Sequence, residues 1–75
     1  MCDTYAILGF ADNMQEPVIL LESDSSHDCA RFVHRYTRFG DWGGYDVLAL
    51  YEIAPHESAA TIHKSDAPII DWKRN

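Results

Sequence analysis

The chain is short of the residues that mark most kinds of chemistry. It has two cysteines in 75 residues. Cys2 and Cys29 form neither a CxxC pair nor a spaced framework, so thiol chemistry does not organise the chain. A disulfide between them is not expected in a reducing compartment. None of the four histidines stands at HExxH or HxxxH spacing. His27 and His34 are two helical turns apart, and His56 and His63 fall in irregular sequence, so no metal site is expected. There is no GxGxxG and no GxxxxGK[ST]. Gly43-Gly44 is followed by no helix start that would cradle a phosphate. No cofactor is therefore assigned. No apolar run approaches the roughly 18 residues of a spanning helix. Met1-Cys2-Asp3-Thr4 lacks the basic region and long apolar stretch of a secretory leader, which makes the reading cytoplasmic, with no membrane partner.

Basic residues are also scarce. Six Lys and Arg stand against twelve Asp and Glu, a net charge of −6 with neutral His, and the pI is about 4.8. Nucleic-acid binders carry the opposite footprint, so direct nucleic-acid binding is not expected. An acidic surface is instead attracted to basic surfaces on other proteins.

What the chain does contain centres on residues 23–53. Ser25 with Asp28 three positions on has the spacing of a capping box, with Asp in place of the longer Glu. Gly40 supplies a stop signal. Between them Cys29, Phe32, Val33, Tyr36 and Phe39 recur at helical spacing and form one apolar face. The opposite face carries His27, Arg31, His34, Arg35 and Arg38. Arg31, Arg35 and Arg38 are neighbours at i,i+4 and i,i+3, and like charges so placed repel by a few tenths of a kcal/mol. No acid is interleaved between Cys29 and Gly40. A solvated helix face accounts for such a stripe, and so does a face that meets an acidic or phosphate-bearing partner.

Residues 4–10 are rich in aromatic and branched side chains and read as a strand. Residues 17–22 read as a second strand, with Pro17 at the first position, where no ladder N–H is required. Residues 45–53 make the third. Val47, Ala49, Tyr51 and Ile53 share one of its faces; Asp46, Leu48, Leu50 and Glu52 share the other. The helix face is expected to pack on Ile7, Val47 and Ala49. A hairpin followed by a helical crossover places the third strand beside the first, in order 2-1-3. The fold expected over residues 1–75 is one α+β domain of two layers, β-β-α-β, with the helix on a three- or four-stranded, mostly antiparallel sheet. Residues 54–75 form a less regular extension. A short edge strand is expected at 60–64. The apolar tail from Ile69 to Trp72 is expected to dock on the sheet face, on a partner or on a second copy.

No catalytic residue is assigned. Ser25, Ser26, His27 and Asp28 are consecutive, so their side chains radiate rather than converge. Cys29 belongs to the apolar face, where a thiol is inert. Trp and Tyr are frequent anchors of protein interfaces, although small domains also use them to close a core. The residues expected at a partner interface are Trp42, Tyr45, Asp41, Asp46 and Glu52, with Arg31, Arg35 and Arg38 on the helix. In size, acidity and β-β-α-β plan the chain resembles several small phage-encoded host-takeover and anti-defence proteins. That resemblance implies an acidic, non-enzymatic inhibitor or modulator of a larger nucleic-acid-handling complex, and it assigns no role to any residue. The alternatives are a homo-oligomer joined through a sheet edge or the C-terminal tail, and a small ligand-binding domain or enzyme.

Overall fold

A computed structural model of the chain describes residues 4–13, 15–40, 42–53, 62 and 67–74. The run Ala-Ile-Leu-Gly-Phe is apolar without alternation, as expected of a strand covered on both faces. It lies within β1 (Thr4–Phe10), whose residues Ala6 to Phe10 are all buried. β2 (Val18–Ser23) and β3 (Val47–Ile53) flank it, and β4 (Ile70–Lys73) lies outside β3. The order is β2-β1-β3-β4, with every pairing antiparallel. The helix α1 (Ser26–Tyr36) packs across one face of this sheet. The fold is thus two-layer α+β, with the first three strands in the expected order.

Register decides which side chains α1 meets. Ile7 stands opposite Leu21 on β2 and Leu50 on β3, while Leu8 stands opposite Ile19 and Ala49. Between those steps β2 advances two residues against one on β1, a bulge that sets Leu20 outside the ladder. Cross-strand partners share a face. Ile7, Leu48 and Leu50 therefore form the floor under Cys29 and Val33, with Phe32 and Tyr36 half-buried beside them. The sequence expectation of Val47 and Ala49 beneath the helix is overturned. Both belong to the opposite face with Ala6, Leu8, Phe10, Tyr51 and Ile53. Ile7 and Ala49 could share a face only after a one-residue slip, which would turn every side chain of β3 over. The more uniformly apolar face of β3 is not the helix face because both faces are covered. Ala49 is 1% exposed and Tyr51 6%, and Ile62 packs against that second cluster. Each fully buried Leu or Ile contributes about 1.5–3 kcal/mol relative to an exposed one.

α1 begins as its sequence signals. Ser25 has extended backbone, and its Oγ accepts from the Asp28 N–H at 3.3 Å. It ends earlier than Gly40 suggests. Thr37 is the C-cap, and its hydroxyl donates to the Val33 carbonyl at 2.9 Å. The Arg38 N–H then reaches only three residues back, to Arg35, tightening the chain into a turn that closes at Gly40 with φ 77°. Phe39 consequently leaves the apolar face and is 87% exposed.

The fourth strand comes from the C-terminal tail, which adds to the sheet edge rather than docking on its face. The edge strand expected at 60–64 lies, apart from Ile62, outside the described residues.

A candidate protein-binding surface

The short helix and the turn after it carry a basic stripe in an acidic chain. His27, Arg31, His34, Arg35 and Arg38 are all exposed. Cys29 and Val33 point inward, and the 3.6-residue repeat turns the four on α1 away from the sheet. Arg38 lies just past the helix end, with its guanidinium 5.3 Å from the Phe39 ring centroid. Such stacking leaves the guanidinium free to donate in its own plane. Among the described residues, Arg31, Arg35 and Arg38 make no ion pair. Two shallow hollows flank the stripe. One, of about 330 Å³, is lined by Leu21, Asp28, Arg31, Phe32 and Arg35. The other, of about 250 Å³, is lined by His27, Ala30, Arg31, His34 and Arg35. The first sets two guanidiniums and one carboxylate, Asp28, around the apolar Leu21 and Phe32, a net positive lining suited to a side chain that is apolar at its stem and anionic at its tip.

The aromatic half of the expected interface faces inward. Trp42 and Tyr45 are half-buried against the cluster under α1. The Tyr45 N–H donates to the Trp42 carbonyl at 3.0 Å, closing a turn whose central residues Gly43 and Gly44 both have positive φ. The Tyr45 ring lies over Gly9 of β1 so closely that a Cβ there would stand 2.8 Å from its Cγ and Cδ1. The Tyr36 hydroxyl likewise abuts Gly43. Both aromatic residues thus close the open end of the core.

Asp46 is engaged within the chain. Its Oδ1 accepts from Arg74 Nη2 at 2.9 Å, and its Oδ2 accepts from the Asp12 N–H at 3.3 Å. Its main chain donates to the Phe10 carbonyl and accepts from the Arg74 N–H. It joins the start of β3 to the end of β1 and to the end of β4. Glu52 is exposed on the helix side of β3. Asp41 lies outside the described residues. The structure therefore brings Arg31 and Arg35 to one surface with Arg38 beside them, and it does not gather Trp42, Tyr45, Asp46 and Glu52 into another. Phe39 is the surface residue that sequence reasoning missed. Thr37 followed by Gly40, both poor in a helix interior, was the available signal.

Other chemistry is thinly represented. Among the described residues, no three His, Cys, Asp or Glu gather as a metal site, and no helix is long and apolar enough to cross a membrane. Cys29 is a free, buried thiol, and burial followed by the nearby Asp28 carboxylate pushes its pKa up from 9.0. No family model matches the chain, and neither a curated protein nor a solved structure matches it significantly.

Proposed function

We propose that this chain is a non-enzymatic protein-binding domain whose contact face is the exposed side of α1. The observation that carries this reading is the row Arg31, Arg35 and Arg38. Two of these cations stand on α1 and the third just past its end, without an acidic partner among the described residues, in a chain of net charge −6. A chain with twice as many acids as bases has the means to neutralise three arginines, and among the described residues no acid pairs with them. The fitting partner offers carboxylates above an apolar patch, because guanidiniums pair carboxylates in a fork and the neighbouring hollow has Leu21 and Phe32 at its base. The remaining acidic surface steers encounter with a partner whose outlying surface is basic, as in an assembly that handles nucleic acid. Inhibition or modulation of such an assembly is the activity this reading assigns.

The test is a comparison of the parent with Arg31→Gln/Arg35→Gln/Arg38→Gln. Gln is a good helix former, so the fold should persist. A protein captured from cell extract by the parent is identified, purified and titrated calorimetrically with both forms. The triple variant should bind about tenfold or more weakly, since charged anchors of this kind carry much of an interface's energy. Parent binding should also weaken with added salt. Equal binding by both forms would leave α1 a solvated face.

A further inference from the structure

We infer that two copies of this chain pair through β4, antiparallel, about a twofold axis beside Trp72. Arg74 donates its N–H to the Asp46 carbonyl at 2.8 Å, and the register pairs Lys73 with Val47, Trp72 with Leu48, Asp71 with Ala49 and Ile70 with Leu50. In an antiparallel ladder, hydrogen-bonded and non-hydrogen-bonded pairs alternate. Counting back from Arg74, Trp72 and Ile70 turn their main-chain groups toward β3. Asp71 and Lys73 turn theirs outward. Among the described residues no strand lies beyond β4 and none pairs with these groups, so within them β4 is the edge of the sheet.

Symmetry limits what can pair there. An antiparallel twofold pairing keeps each side chain on its own face of the sheet, so partners must share a face. Hydrogen bonds form only between residues whose main-chain groups face the edge. Setting Asp71 against the partner's Lys73 satisfies both conditions. That register makes two hydrogen-bonded pairs, each placing a carboxylate opposite an ammonium. It leaves Trp72 against the partner's Trp72 as the non-hydrogen-bonded pair on the axis, where side chains approach most closely. Moving the register two residues back sets Asp71 against the partner's Asp71, and like charges directly opposite are destabilising. The edge is self-complementary in one register.

The surroundings agree. α1 packs against β1, β2 and β3, and the helix-side face of β4 lies beyond it. Ile69 is 55% exposed and Ile70 47% exposed, beside a hollow of about 390 Å³ floored by Leu50. In the favoured register Ile70 lies opposite the partner's Arg74 on the same face. The axis is normal to the sheet, so both helices lie on the same side of an eight-stranded sheet. The inference does not rest on the reading of α1 as a contact face, and either can fail alone.

Sedimentation equilibrium of the parent, from low concentration to about 1 mM, should show a dimer, because four-residue strands bury a small interface with a correspondingly weak Kd. Asp71→Lys and Lys73→Asp should each be monomeric with unchanged circular dichroism. Mixing the two variants should restore a dimer of one copy of each, since every opposed pair is then Lys against Asp; this recovery also excludes misfolding as the cause. In a Cys2→Ser background, Trp72→Cys should form a disulfide dimer on mild oxidation, and Asp71→Cys should not. A parent that stays monomeric throughout overturns the inference. So do single variants that remain dimeric, or a mixture that does not associate.

Discussion

Gly9→Ala tests the arrangement that closes the core. Gly9 is in the central strand, between Val18 on β2 and Leu48 on β3. Glycine in a strand interior is ordinarily a weakness, and Ala there should gain about 0.5–1 kcal/mol from the stiffer unfolded chain. Here the new methyl would stand 2.8 Å from Cγ and Cδ1 of Tyr45 and 3.0 Å from Cε1. Ordinary carbon contacts lie at about 3.5–4.0 Å, so the ring must retreat by most of an ångström. It cannot do so freely. The clash meets the root of the ring, and the Tyr45 backbone is held by its bond to Trp42. Overpacking of this kind costs about 1–3 kcal/mol. The net expectation is a loss of about 1–2 kcal/mol, a substantial share of the stability of a domain this small. Thermal unfolding followed by circular dichroism should show Tm falling by roughly 5–15 °C, at about 4–8 °C per kcal/mol for this size. In a Tyr45→Ala background the same change should be neutral or slightly stabilising, which makes the pair a double-mutant cycle. A stabilised Gly9→Ala, or an equal loss in both backgrounds, would refute the placement of Tyr45 over β1.

The helix face and its thiol give two further expectations. Leu50→Ala should cost about 2–5 kcal/mol in denaturant unfolding and speed amide exchange along α1, because Leu50 lies in the floor beneath it; unchanged exchange would mean that α1 does not rest there. In a Cys2→Ser background, Cys29 should resist alkylation until the protein unfolds, since it is fully buried. Its pKa is raised in the folded state, so the unfolded chain deprotonates first as pH rises past 9.0 and stability should fall there. Cys29→Ala should remove that fall, and an identical pH profile in the two proteins would contradict the buried placement.

Much of the candidate surface was readable in the sequence, because the placing of Arg31 and Arg35 on one face follows from helical period alone. Its end was not. Thr37 bonds back to Val33 and the chain tightens, so Phe39 joins the surface instead of the core. The acidic and aromatic residues near the third strand were close in sequence but not in role. Trp42 and Tyr45 turn toward the core, and Asp46 is spent on Arg74 and Asp12. Sequence neighbours in a turn and strand point in different directions, and only packing shows which of them reach solvent.

By itself the sequence determined what depends on residues three or four apart, or on alternation. The Ser25 cap, the inward row of Cys29, Phe32, Val33 and Tyr36, and the three principal strands are of this kind. The order 2-1-3 also followed, since short connections and one crossover leave few routes. The tertiary structure decided the face of β3 that α1 covers. Both faces are apolar, and the choice rests on Ile7 lying opposite Leu50 across a long-range pairing. It also decided the fate of the tail. Ile70 to Lys73 has neither the length nor the periodicity to announce a strand, and it becomes one because β3 offers it an edge and Asp46 fastens its end to Arg74.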